Sequence, residues 1–552
     1  MRILSLIALL VGAVLIPLPA SAAARPAPYP NPVSAPAADT FADPSVVRGT
    51  DGVWYAFGTS DPLKAGETTP HLIPILRSTD LFHWTYAGDA FTSRPAWAEP
   101  TAGIWAPDIR RVGEHYLLYY TVTDTTLNPG DDSAIGVATA PTPLGPWTDS
   151  GRPVVAPRPA PGGGFLWTFD PALLSDAQGR LWLYYGSYFG GIFTAPLTAD
   201  GLTVAGAATQ VAIDNRYEGA YVVRRDGWYY LFGSAANCCA GPTTGYSVFA
   251  GRSRNPAGPF VDRDGVSLLD SRVGGTPVIQ PDGDRWVGTG HNAVVTDGTG
   301  QDWLVYHAID RNAPYLNEPY GINRRPMLID RLEWPGGWPS VRTAPAPHPA
   351  RLDRAASDEF DGGLGRGWTW VRPDDAAAVG GGALRWPTEA ADLTGPANTA
   401  GVLLRRATPE GDYIVETKLT IDLGVDTVRN YEQAGLIAYR GDDDFARLSH
   451  VAIWNTRQIE FGRELPYAGR LSYGGIVEGP PAATTWLRLA HTTVHGEHHF
   501  RAGWSRDGVH WSWGGTWTFP PGPAPRIGLI AHGGNDPQAT AVFDYFRVYR
   551  TR

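Results

Sequence analysis

Five segments of the chain repeat one pattern: a turn residue, an aromatic pair, an apolar run, and a small or polar residue that closes it. They are GVWYAFGTS (52–60), GEHYLLYYT (113–121), GRLWLYYGS (179–187), DGWYYLFGS (226–234) and GQDWLVYHA (300–308). A short apolar run bounded by turn signals reads as a buried strand. The strings recur roughly every 45 to 75 residues, near the length of a β-propeller blade, and predict a five-bladed β-propeller. Between them RSTDLFHW (77–84), ATAPTPLGPW (138–147) and GRSRNPAGPF (251–260) predict outer strands. Radial blades surround an axis, so residues at the inner strand ends of different blades converge in one pocket.

After the fifth repeat, RTAPAPHPARLDR (342–354) reads as a semi-rigid Pro/Ala linker, because proline favours extended backbone and cannot join a central strand. Residues 38–341 are therefore the predicted propeller. Beyond the linker, YIVETKLTI, AGLIAYRG, HVAIWNT, IEFGREL, WLRLAHTT, HHFRAGWS and AVFDYFRVYR alternate in the manner of strands, and 355–552 is predicted to be a β-sandwich. Of its tryptophans, Trp454, Trp504, Trp511, Trp513 and Trp517, most are expected in the core, the other reading being a sugar-binding face. Heptads and long apolar helical stripes are absent, so the fold class is all-β, and 552 residues call for at least two cores.

The N-terminus, with Arg2, an apolar run and Ala20-Ser21-Ala22, reads as a signal peptide over 1–23 and predicts a secreted, extracellular protein. No second long apolar stretch follows, which excludes a multi-span membrane protein and leaves no membrane partner after cleavage. The only cysteines, Cys238 and Cys239, are adjacent. They can build neither a disulfide framework nor a four-cysteine zinc site, and a vicinal disulfide or two thiols remain open. A net charge of −10 without a basic stripe makes nucleic acid a poor partner and a neutral ligand a better one.

Three carboxylates precede repeat strings at similar intervals: Asp43 in FADPSV, Asp170 in TFDPALL and Glu218 in RYEGAYVV. A lone Asp-Pro is ordinarily a turn. Three acids delivered by different blades to one axis suit glycoside hydrolysis, which needs a carboxylic acid to protonate the leaving oxygen and a carboxylate to activate water or attack carbon. Inversion places the two about 6.5–9.5 Å apart, and a third carboxylate would raise the pKa of the acid by repulsion.

The ordered set FADPSV, GIWAPDI, TFDPALLSD, GSYFGGI, YEGAYVV, NCCAGPTTGYSVFAGRS, GHNAVVTDGTGQDWLVYHA and RRPMLIDRLEW resembles glycoside hydrolase family 43, and within it the arabinanases. The resemblance covers about residues 38–341. It implies hydrolysis of α-1,5-L-arabinofuranosyl bonds of arabinan, a plant cell-wall polysaccharide, with inversion. Asp43 is then the general base, Glu218 the general acid and Asp170 the residue that tunes and orients the acid. Trp105 and Asp108 are implied in the sugar-binding wall, Ser187, Tyr188 and Phe189 beside it, and Arg325, with adjacent Arg324 as competitor, on the axis. His307 is implied as the contact of an axial metal ion, usually calcium, held otherwise mostly by water. The C-terminal region resembles the concanavalin-like modules that follow such propellers, and a monomer is expected. The alternatives are an exo-acting α-L-arabinofuranosidase or β-xylosidase of the same family, and a carbohydrate-binding propeller without catalysis. The insertion DPLKAGETTPHLIPIL (61–76) bears on endo against exo action, since it can wall off one end of a groove.

Overall fold

Short aromatic and β-branched runs between glycine turns leave the chain little choice but strands, and each of the five strings forms the second strand of an antiparallel group of four. The computed structural model describes residues 29–341, 345–534 and 537–551. The predicted signal peptide and residues 342–344 of the predicted linker lie outside them. Met1–Pro30 is one unit and Asn31–Arg552 another, to which all the sheets belong.

Ser45–Arg48, Trp54–Phe57, Pro74–Ser78 and Thr85–Asp89 form the first sheet. Ile104–Val112, His115–Val122, Ala134–Ala140 and Thr148–Asp149 form the second. Ala172–Ser175, Leu181–Ser187, Gly191–Pro196 and Thr209–Ala212 form the third. Glu218–Arg225, Trp228–Ala235, Ser247–Ser253 and Thr276–Ile279 repeat the order, as do Trp286–Thr296, Asp302–Asp310, Met327–Glu333 and Ser340–Val341. A parallel bridge from Ser247 to Thr289 merges these last two groups into one sheet. The segments RSTDLFHW, ATAPTPLGPW and GRSRNPAGPF fall at the end of the third strand and the turn after it, and do not form the outer strand. Turn chemistry explains the difference: Asp80 Oδ1, for example, accepts the N–H groups of Phe82 and His83.

Where the chain enters the first strand of each group, one residue adopts a left-handed conformation: Asp43 (φ 53°), Ala106 (47°), Asp170 (57°), Gly219 (59°) and His291 (51°). For a residue with a side chain this costs about 1–2 kcal/mol. Each such residue, or its neighbour, is tied to the second strand of the preceding group or to the residues just past its end. Ala106 N–H donates to Thr59 Oγ1 at 2.9 Å, Asp170 N–H to Thr121 Oγ1 at 3.0 Å, and His291 N–H to Ser234 Oγ at 2.9 Å. At the fourth junction Ser187 Oγ donates to Glu218 Oε2 at 2.8 Å. Asp43 N–H donates to His307 Nδ1 at 3.1 Å, linking the fifth group back to the first and completing a circuit.

The segment before Asp43 reinforces that closure. Asn31 Nδ2 donates to Ile329 O at 2.9 Å and its Oδ1 accepts Ile329 N–H at 3.0 Å, while Met327 N–H donates to Ser34 Oγ and Phe41 N–H to Arg325 O.

Pro349–Leu352 pairs with Thr540–Thr551, so part of the predicted linker is strand; proline is tolerated there as the first residue of an edge. The rest of the C-terminal region forms two antiparallel sheets. One orders Ala378–Val379, Leu384–Pro387, Thr540–Thr551, Tyr413–Thr420, Thr484–Val494, Glu497–Ser505 and Ser512–Phe519. The other orders Trp368–Val371, Val402–Arg405, Arg526–His532, Gln433–Gly441, Asp444–Ile453, Thr456–Tyr467 and Arg470–Gly479. Trp386, Leu489 and Phe500 of the first meet Leu403, Leu436 and Phe461 of the second in one core, which also takes in Trp504 and Trp517. Trp454 is exposed, and Trp511 is covered by the Arg488 guanidinium. Val287 and Ile309 of the fifth group join this core, and Val477 packs with Tyr217 and Phe249 of the fourth, so the N-terminal and C-terminal regions share apolar contacts.

Asn31→Ala removes two bonds to Ile329, each worth about 0.5–1.5 kcal/mol net. The melting temperature should fall by a few degrees, with activity intact at lower temperature. An unchanged melting curve would show that this stitch does not stabilise the link between the fifth group and the first.

Candidate active site

Three of the left-handed entry residues, Asp43, Asp170 and His291, line one cavity of about 670 Å³ together with Glu218, Tyr246 and Arg325. Trp105, Trp167 and Phe169 form an aromatic side, with Trp167 stacked on Phe169 at 5.6 Å and Trp105 edge-on to it at 6.2 Å. Cys238, Cys239 and Asn323 form another. The two cysteines are joined in a disulfide.

Asp43 sits among cationic and donor groups. Thr59 Oγ1 donates to its Oδ2 at 2.5 Å, Arg325 Nη1 lies 3.4 Å from Oδ1, and His291 and His307 place Nδ1 at 3.3 and 3.2 Å from Oδ1. Burial alone would raise its pKa; Arg325, with help from the two histidines, outweighs burial and holds it well below 3.8. Asp43 is therefore ionised at neutral pH. Burial lowers the pKa of both rings, His307 to about 4, so both are neutral at neutral pH and Arg325 supplies the compensating charge. Arg325 also reaches Asp61 Oδ2 at 3.4 Å.

Glu218 and Asp170 experience the opposite balance. Burial pushes Glu218 up to about 7, against the hydroxyl bonds from Ser187 and Tyr246 and with added repulsion from Asp43. Burial and then the Glu218 charge push Asp170 well above the carboxylate range, although its Oδ2 accepts Gly219 N–H at 2.8 Å. Two buried carboxyls in mutual repulsion titrate as a pair and retain a proton at neutral pH. The cavity thus holds an ionised carboxylate beside a proton-bearing pair.

Of the remaining predicted residues, Trp105 and Arg325 line the cavity and Ser187 bonds Glu218. Asp108 does not reach the cavity: it is 2% exposed, accepting Ser45 Oγ at 3.1 Å and Leu173 N–H at 2.7 Å and pairing with Arg110 at 3.1 Å. Its register on Ile104–Val112, two residues past the left-handed Ala106, turns it between neighbouring sheets, where it fastens three groups together. Tyr188 donates to Ala236 O at 2.6 Å, and Phe189 is 49% exposed; neither lines the cavity. Arg324 pairs with Asp39 at 3.4 Å, away from the carboxylates.

His307 Nε2 is buried and has no hydrogen-bond partner among the described residues. An orphaned imidazole nitrogen fits a cation in the tautomer that carries the ring proton on Nδ1, where it would donate to Asp43 Oδ1, 3.2 Å away, in place of accepting the Asp43 N–H. Among the described residues no cluster of three or more His, Cys, Asp or Glu side chains could hold a metal.

Tyr246, Asp61, Trp167 and His291 escaped the sequence reading. His291 had a signal: it stands as far ahead of His307 as Asp43 stands ahead of Thr59, so aligning the repeats at their entry residues would have found it. Tyr246 is reached from a third strand and carries no comparable mark.

The model of glycosyl hydrolases family 43 matches residues 29–339. The chain belongs to that family. It is a glycoside hydrolase. It is 32% identical over 327 residues to an extracellular exo-α-(1→5)-L-arabinofuranosidase of Cellvibrio japonicus, covering 54% of this chain and 85% of that one. It is 32% identical over 308 residues to extracellular endo-α-(1→5)-L-arabinanase 1 of Bacillus subtilis, covering 54% and 86%. A solved Cellvibrio cellulosa α-L-arabinanase complexed with arabinohexaose aligns with a TM-score of 0.46 at 29% identity, covering 55% of this chain and 95% of that one.

The raised pKa of Glu218 has a cost. A carboxyl whose folded pKa of about 7 lies above its ordinary value of 4.5 contributes stability below 4.5 and loses it as pH rises through 7. Glu218→Gln should therefore gain melting temperature relative to the parent as pH is raised from about 5 to about 8. Melting curves across that span check it, and a difference independent of pH would mean that Glu218 titrates normally.

Proposed function

We propose that this enzyme cleaves α-1,5-L-arabinofuranosyl linkages within arabinan chains, with inversion. The observation that carries the reading is the split in one cavity between ionised Asp43 and the proton-bearing Glu218–Asp170 pair. Asp43, held ionised by Arg325, takes a proton from water as general base. Glu218 gives its proton to the leaving glycosidic oxygen as general acid, oriented by the Ser187 bond. Asp170 keeps that proton in place by repulsion and fixes the strand entry through Gly219 N–H. Trp105, 41% exposed, offers a face for a sugar ring. Both exo- and endo-acting relatives match, and the wall containing Asp61 is the part of the 61–76 insertion that reaches the cavity.

The five left-handed entries and the circuit of links between groups support a five-bladed propeller, and the shared core of the two C-terminal sheets supports a concanavalin-like sandwich. The two relatives named as extracellular support secretion. Calcium at His307 Nε2 would add positive charge near Asp43, favouring the ionised base.

Purified enzyme on debranched arabinan should release a ladder of oligosaccharides with the inverted anomer seen first by proton NMR. Glu218→Gln should lower that rate by on the order of 10² to 10⁴ while binding persists. A single short product from the start would make the enzyme exo-acting, and retention would make Asp43 or another carboxylate a nucleophile.

Stripping the ion, confirmed by elemental analysis, should lower the melting temperature, with calcium restoring it. Unchanged melting would leave His307 a structural histidine.

A further inference from the structure

The family match ends at residue 339, yet the C-terminal region grips the cavity wall. That wall is a loop, Cys238 to Thr244, joined to a second segment, Tyr315 to Asn323. Asn323 couples them: its Oδ1 accepts Gly241 N–H at 2.9 Å and its Nδ2 donates to Cys239 O at 3.4 Å. Both segments are held from behind by the hairpin of Thr456–Tyr467 and Arg470–Gly479. Ser472 Oγ donates to Ala240 O at 3.1 Å and lies 2.8 Å from Thr243 Oγ1. Tyr320 OH donates to Tyr467 O, with Tyr315, Tyr320 and Tyr467 in one ring cluster and Arg470 over Tyr320 at 4.9 Å. Backbone packs on backbone at this contact: a Cβ at Gly474 would collide with Thr243 O, and one at Gly245 with Gly475 O.

No residue of the hairpin lines the cavity itself. Its contacts converge on the atoms next to the disulfide and to Asn323, which do. We propose that this hairpin is a positioning element for the active site, fixing the wall of Cys238, Cys239 and Asn323 and thereby the grip on sugar units lying against it. The carboxylates are tied to the circuit of links between the sheet groups, so the hairpin acts on binding and leaves the proton chemistry alone. The inference rests on the arabinan reading above for its substrate.

Gly474→Ala in the full chain should push the hairpin off Thr243. On linear α-1,5-arabino-oligosaccharides KM should rise about fivefold or more with kcat within about twofold. Independently of any substrate, dithiothreitol should reduce the Cys238–Cys239 disulfide faster, read by thiol titration. Should Gly474→Ala fail to fold, Ser472→Ala combined with Tyr320→Phe removes the two hydroxyl links without a collision and should shift both readouts the same way, whereas Ser472→Thr should keep parental values. Parental KM and reduction rate in the double variant would overturn the proposal, as would a fall in kcat with KM unchanged. If the parent hydrolyses no arabino-oligosaccharide, the arabinan reading falls, and the reduction rates still decide the role of the hairpin.

Discussion

The N–H of Asp43 donating to His307 Nδ1 is the bond on which the site depends, because it turns a row of strand groups into a circuit. Left-handed backbone at a residue with a side chain is unfavourable alone and persists where the surroundings over-determine it. Here Thr59, Thr121 and Ser234 each capture the strained N–H of the next group, and His307 captures the first. A single such bond adds only about 0.5–1.5 kcal/mol, comparable to the strain it opposes. Closure makes each link support its neighbours. The same backbone turn that is strained also swings Asp43, Asp170 and His291 out of their strands toward the shared cavity.

Within that cavity, burial acts on all three carboxyls and would raise every one. The position of a single guanidinium decides which escapes. Arg325 lies against Asp43 and Asp61, leaving Glu218 and Asp170 to repel each other with hydroxyl and amide donors as partial compensation. An ionised carboxylate and a proton-bearing pair therefore coexist at one pH, a split set by distance from one cation.

The repeat strings were legible because a buried second strand must be apolar along its length, and the aromatic pairs mark it. Asp43, Asp170 and Glu218 were legible because each stands at the same place before its string. Asp108 misled, since a carboxylate beside an aromatic looks like a sugar ligand until strand register shows it fastening Ser45, Leu173 and Arg110. Tyr188 and Phe189 sit on a strand end whose direction no local pattern reveals. Ser472 and Gly474, far along the chain, read as ordinary strand residues; their role comes from contacts at separations above 200 residues, which pattern reading does not reach.

The stitch of Asn31 and Ser34 to Ile329 and Met327 joins positions almost 300 residues apart. Such non-local pairing is slow to form, because the loop entropy must be met before the contacts reward it. Asp43 comes from one end of that loop, and His307 and Arg325 from the other. Until the fifth group has emerged, Asp43 has no cation and its strained entry has no captor. A chain cut short before the fifth group would carry all three acids without the captor and the cation that hold Asp43.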